Sequence, residues 1–91
     1  MDTVVKVKNE ARVLAFERVA LDGLPYIEYE LTENELDGRR CYSLTVKMGE
    51  ARAYLPDVTS RRERALELYR LFVQGRVTPI SAREVMEDLL G

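Results

Sequence analysis

A chain of 91 residues, 46% of them hydrophobic and 33% charged, is long enough for one domain and too apolar for intrinsic disorder. The net charge is -2, there is no histidine, and Cys41 is the single cysteine. Within one chain this excludes a disulfide, a zinc site of imidazole and thiolate ligands, and a histidine-activated nucleophile. We therefore expect residues 1–91 to form a single domain that is not an enzyme and uses no metal or cofactor.

The start of the chain lacks the basic and then apolar pattern of a secretory signal. No apolar run approaches the roughly 18 residues that a membrane span requires. These features predict a cytoplasmic protein without a membrane partner.

The N-terminal third is the least decisive part of the sequence. Residues 3–7 are β-branched and favour a strand, and Asp22-Gly23 is typical of a two-residue hairpin turn. The first arm of that hairpin, residues 12–21, needs a bulge near Glu17 and Arg18 to keep its apolar side chains on one face. A helix over residues 11–20 is the alternative, so the pattern leaves residues 9–21 open between strand and helix.

Two segments alternate between apolar and polar side chains, which is typical of strands with one buried face. They are residues 26–31 and residues 41–48. Between them, residues 32–40 are polar and contain Asp37-Gly38, so we expect a long exposed connection there.

A further strand is predicted over residues 51–55. It follows a tight turn at Gly49-Glu50, and Pro56 should end it by removing a backbone donor. Ala51 and Ala53 would allow a helix to pack closely.

Two helices should follow, and a serine and a glutamate spaced as in a capping box mark the start of each. The pairs are Ser60 with Glu63 and Ser81 with Glu84, and Gly75 should terminate the first helix. Strands followed by helices predict an α+β fold. We expect an antiparallel β-meander of four to five strands, followed by two C-terminal helices packed on one face.

The C-terminal part resembles a family of small uncharacterised clostridial (Firmicutes) proteins, a domain of unknown function. The likeness covers residues 26–91 and rests on Tyr42-Ser43-Leu44-Thr45-Val46, on Val77-Thr78-Pro79 and on Glu87-Asp88-Leu89-Leu90. The resemblance implies a bacterial cytosolic protein. It transfers no catalytic residue, because the family carries no known activity.

Charge is unevenly distributed along the chain. Residues 1–38 carry four basic and nine acidic side chains (4 - 9 = -5), residues 39–76 carry nine and four (9 - 4 = +5), and residues 77–91 carry one and three (1 - 3 = -2). If the fourth connection of the chain and the start of the first helix share an edge of the domain, Arg39, Arg40 and Arg52 of the middle block lie near its helix arginines and form an arginine cluster. Its candidate contact residues would be Arg39, Arg40, Arg61, Arg62 and Arg64. Arginine suits contacts with carboxylates or phosphates.

Three interpretations fit this charge pattern. The first is a protein interaction or self-association module, most simply a homodimer, whose acidic and basic regions complement one another and whose apolar contact includes Leu71 and Leu90. The second is a nucleic-acid-binding accessory protein that uses the arginine cluster. The third is that the charges neutralise one another within the monomer. The sequence favours the first interpretation and identifies no partner.

Overall fold

The computed structural model describes residues 10–91, which form one antiparallel sheet and two helices. The predicted strand over residues 3–7 lies outside the described residues. The elements are β1 (Glu10–Leu21), β2 (Leu24–Leu36), β3 (Arg39–Met48), β4 (Ala51–Thr59), α1 (Arg62–Gly75) and α2 (Pro79–Leu90). Neighbouring strands pair in the order β1-β2-β3-β4. The predicted α+β class, with the helices after the meander, is confirmed.

The segment that the sequence left open is a strand, so the helix over residues 11–20 is wrong. Its turn at Asp22-Gly23 is confirmed, but the register shifts fall between Val13 and Ala15 and between Val19 and Leu21. The first shift lets both Leu14 and Ala15 pack against the core. Phe16 therefore lies on the opposite face, where it is 52% exposed.

The long exposed connection predicted over residues 32–40 is also wrong. β2 and β3 continue to a two-residue turn at Asp37 and Gly38, which both have positive φ (54° and 78°) as a type I′ turn requires. The polar residues before the turn remain in the sheet because they find cross-strand partners. Glu33 pairs with Tyr42 in the register of β2 and β3.

Pro56 does not end β4. The strand continues through an irregularity in which Asp57 takes a left-handed conformation (φ 51°), and it resumes pairing at Thr59. β4 lies at the edge of the described sheet, where the missing amide hydrogen of a proline costs no ladder bond.

Neither predicted capping box forms. α1 begins after Arg61, and the amide of Arg61 donates to the hydroxyl of Thr59 rather than to Ser60. α2 begins at Pro79, where a residue without an amide hydrogen is well tolerated. Ser81 already lies inside the helix and donates its amide to the carbonyl of Thr78 (3.2 Å).

The two helices run antiparallel and cover one face of the sheet. α1 ends at Gly75, as predicted, and Arg76 takes the left-handed conformation (φ 50°) that starts the return. Near the other end, Nη2 of Arg64 donates to the carbonyl oxygen of Leu89 (2.8 Å). Among the described residues, no helix is long and apolar enough to cross a membrane.

The core lies between the helices and the alternate side chains of β2, β3 and β4. Its largest fully buried side chains are Tyr29, Tyr42, Phe72, Ile27, Leu31, Leu44, Leu68 and Val46. The hydroxyl of Tyr29 donates to the carbonyl oxygen of Val77 (2.8 Å), which ties the sheet to the α1–α2 connection. Burial raises the pKa of Tyr29 to about 12, so the neutral hydroxyl is the form that the fold stabilises.

The Tyr29 hydroxyl gives a direct test of this packing. We expect Tyr29→Phe to lower the free energy of unfolding by about 1 to 2 kcal/mol, because the Val77 carbonyl loses its partner. Tyr26→Phe is the control, since the Tyr26 side chain is 55% exposed and should change stability by less than about 0.5 kcal/mol. Urea unfolding at pH 7 measures both. Equal effects would contradict the assigned role of the Tyr29–Val77 bond.

Candidate functional site

Three arginines from different elements converge on the carboxylate of Glu33, which is only 7% exposed. Nη2 of Arg12 on β1 lies 2.8 Å from Oε1, and Nη1 of Arg62 on α1 lies 3.9 Å from Oε2. The hydroxyl of Tyr42 donates to Oε2 (2.8 Å). Arg40 lies in the same shallow pocket as Arg12 and Glu33. A single carboxylate therefore joins β1, β2, β3 and α1 at one end of the molecule.

The environment of Glu33 keeps it ionised. The hydrogen bond from Tyr42, followed by the guanidinium charge of Arg12 and the charge of Arg40, lowers the pKa of Glu33 against the opposing effect of burial. Burial and the contact with Glu33 raise the pKa of Tyr42. Because Glu33 holds no proton near neutral pH and its oxygens are engaged, the geometry suits a structural anion rather than a general acid.

The five arginines singled out from the sequence differ in the contacts that they make. Arg40 and Arg62 lie around Glu33. Arg64 instead donates a hydrogen bond to the carbonyl oxygen of Leu89 on α2 and forms an ion pair with Glu67 (2.9 Å). Arg39 and Arg61 are exposed at the start of β3 and just before α1.

The acidic and basic blocks of the sequence occupy neighbouring strands. The register of β2 and β3 sets Glu28 opposite Lys47 and Glu35 opposite Arg40. Acidic and basic side chains of the two blocks therefore lie opposite one another across β2 and β3, although Glu28 forms its ion pair with Arg18 of its own block. Arg12, which sequence reasoning missed, joins Glu33 only because of the β1–β2 register, and no local pattern reveals that register.

Leu71 and Leu90, the predicted apolar contacts, are 40% and 50% exposed. The hydrogen bond from Arg64 to the carbonyl oxygen of Leu89 places Leu90 beside the start of α1. Leu71 lies seven residues after Arg64, which is about 10 Å further along α1 at about 1.5 Å per residue. Leu71 and Leu90 are therefore separate exposed positions on two neighbouring helices. Leu90 instead borders a depression between α2 and the second half of β4.

A groove that sequence reasoning missed runs between α2 and the edge strand β4. Its volume is about 440 Å³, and its β4 wall is formed by Arg52, Ala53, Tyr54 and Leu55. The α2 wall contains Ile80, Arg83, Glu84 and Glu87. Ile80 is 88% exposed, far more than any other large apolar side chain among the described residues.

The groove borders backbone groups that β3 does not use. Because the β3–β4 hairpin has a two-residue turn with Met48 opposite Ala51, residues 51, 53 and 55 form the hydrogen-bonded pairs with β3. The amide and carbonyl groups of Arg52 and Tyr54 therefore point away from β3. Within residues 10–91 no strand pairs with this edge of β4, and the Pro56–Asp57 irregularity limits its regular part to residues 51–55.

An apolar cleft of about 360 Å³ lies at the opposite edge, between β1 and α1. Ala15, Leu66, Tyr69 and Val73 contribute to its lining. The Tyr69 hydroxyl donates across it to Oε1 of Glu17 (3.5 Å), so side chains of the same chain already bridge this cleft.

The sheet face away from the helices carries aromatic and charged side chains together. Arg18 pairs with Glu28 (2.9 Å) and places its guanidinium 5.4 Å from the ring centre of Tyr26. In the middle of this face, Ser43 accepts from the amide of Asn34 (3.0 Å). Ser43 is only 1% exposed and Thr45 on the same face is 7% exposed, so the centre of this face is buried among its own side chains, whereas Arg18 and Tyr26 remain exposed.

Protein-family models, curated proteins and solved structures give no match to this chain. Within residues 10–91, no three side chains of the metal-binding types come together as a site. The resemblance to the clostridial family therefore stays a prediction, and the functional argument rests on the surfaces described above.

The Glu33 cluster predicts an acid-dependent loss of stability. Because the folded pKa of Glu33 lies below its ordinary value of 4.5, the stabilisation is complete above that pH and is lost as pH falls through the folded pKa. We expect Glu33→Gln to lower the free energy of unfolding by about 1 to 3 kcal/mol at pH 7. The deficit should shrink as the pH falls below 4.5 and Glu33 becomes protonated.

Glu67→Gln is the matched control for this measurement. Glu67 also pairs with an arginine, but its side chain is 56% exposed, so the loss should stay below about 0.5 kcal/mol. Urea titrations across pH measure both variants. A Glu33→Gln deficit that does not change with pH would contradict the assigned role of the charge.

Proposed function

We propose that this protein is a non-enzymatic protein interaction module that associates with its own copy. The observation that carries the proposal is the position of Ile80, which is 88% exposed beside the open edge of β4. A single exposed apolar side chain is ordinary on a protein surface. Here it shares a groove with strand amides and carbonyls that point away from the sheet, and both features favour coverage by protein.

Covering Ile80 is energetically useful for a chain of this size. Full burial of an isoleucine side chain contributes about 1.5 to 3 kcal/mol, and in a symmetric dimer the gain occurs twice. A small domain has a limited core, so association also stabilises the folded state by mass action.

The internal charge pairs favour apolar over charge-driven association. Arg40 and Arg62 lie around Glu33, and the acidic strand β2 is already paired with β3. Surface ion pairs weaken in salt, whereas burial of apolar surface does not. The same placement of the arginines gives less support to the alternative of nucleic-acid binding, because their charge is partly neutralised.

Light scattering over a range of protein concentrations tests the proposal. We expect a dimer whose molar mass is the same at 0.05 and about 0.5 M salt. Ile80→Ser should raise the dissociation constant at least tenfold, which corresponds to about 1.4 kcal/mol.

Leu71→Ser is the matched control, because Leu71 lies on α1 outside the groove. It should leave the dissociation constant within twofold. A wild-type monomer at all concentrations would overturn the proposal. A dimer weakened by Leu71→Ser and not by Ile80→Ser would place the interface on α1 instead.

A further inference from the structure

We infer that two copies pair through antiparallel β4 edges, residues 51–55 of one copy against residues 51–55 of the other, with a twofold axis beside Ala53. The inference rests on the proposed self-association and specifies its geometry. It joins the four described strands of each copy into one continuous sheet. Both helix layers lie on the same side of that sheet.

The hydrogen-bonding pattern of β4 selects the register. Arg52 and Tyr54 direct their amide and carbonyl groups to the open edge, so these residues must form the hydrogen-bonded pairs of a new ladder. Of the symmetric antiparallel ladders that meet this condition, the one that uses all of residues 51–55 sets Arg52 opposite Tyr54 of the second copy and Ala53 opposite itself. The irregularity at Pro56 and Asp57 stops the ladder at either end, which confines it to this register.

On the sheet face away from the helices, this register brings unlike side chains together. Arg52 and Tyr54 both lie on that face, in cross-strand register with Lys47 and Thr45. The guanidinium of each copy can pack on the ring of the other, an arrangement that attracts. A register that set Arg52 opposite Arg52 would juxtapose like charges.

On the helix face, the proposed twofold axis passes beside Ala53, which has the smallest side chain in the groove. Ala53 leaves room where two copies approach, and Ile80 lines the same groove. Burying the two Ile80 side chains over the paired Ala53 residues would remove the most exposed apolar groups of the described chain from water.

The charges of the groove also suit a second copy. Arg52 and Arg83 balance Glu84 and Glu87, so the groove has no net charge to attract a basic or an acidic peptide. α2 runs antiparallel to its symmetry mate across the axis, which brings Arg83 of each copy towards the glutamates of the other. A groove that is neutral overall but carries both arginines and glutamates can pair with the same groove of a second copy.

Disulfide trapping tests the register. In a Cys41→Ser background, which removes the native thiol, we expect Ala53→Cys to form a covalent dimer on oxidation with a copper catalyst. The two Cα atoms would be about 4.5 Å apart in a non-hydrogen-bonded pair, within disulfide reach. Ala51→Cys is the matched control, because its Cα atoms would be about 14 Å apart at about 3.4 Å per residue.

A second trap uses exposed positions, so that impaired folding of the Ala53 variant cannot decide the result. When Arg52→Cys and Tyr54→Cys proteins are mixed in equal amounts, the mixed covalent dimer should exceed the half of all covalent dimers that random pairing gives. This outcome together with preferential trapping at position 53 supports the inference. If wild type is dimeric but position 51 traps as well as position 53, or the mixed dimer is not enriched, the β4 pairing is overturned while self-association stands. A wild-type monomer overturns both.

Discussion

Two helices cannot cover all of a four-stranded sheet, and the surface of this protein follows from that constraint. α1 and α2 bury the side chains of β2 and β3 and reach β4 from one face, while no helix of the described residues covers the opposite face. α2 packs against the face of β4 and leaves the backbone edge of that strand uncovered. A groove therefore forms between α2 and the edge of the sheet. The exposed Ile80 and the outward backbone groups of Arg52 and Tyr54 meet there for this reason.

The Glu33 cluster links the sheet to the start of α1. Its carboxylate accepts hydrogen bonds from side chains of β1 and β3 and lies 3.9 Å from Arg62 in the first turn of α1, so it links the start of that helix to the sheet. A buried ion pair is weak evidence for net stability, but removing one member leaves charge without compensation. The cluster is thus better suited to positioning α1 than to binding a ligand. Two of its arginines, Arg40 and Arg62, are among those that the sequence predicted to contact a partner.

The sequence predicted the parts of this fold that local patterns determine. Alternation identified residues 26–31 and 41–48 as strands, Asp22-Gly23 and Gly49-Glu50 located two turns, and helical periodicity located both helices. The long loop over residues 32–40 was wrong because cross-strand pairing kept polar residues in the sheet. The capping boxes were wrong because Thr59 and Pro79 offered other ways to start each helix. The candidate site depended on strand register and edge position, which are properties of distant residues, and so the groove and Arg12 escaped notice.

The central claim is that the β4 edge is where a second copy adds its strand, and amide hydrogen exchange measured at low and high protein concentration tests it most directly. The amides of Arg52 and Tyr54 point away from β3, whereas the amide of Ala53 is bonded to β3 in either state. The account predicts that exchange at Arg52 and Tyr54 slows as the concentration rises, while exchange at Ala53 changes much less. Exchange at Arg52 and Tyr54 that stays equally fast in a dimeric sample would contradict it.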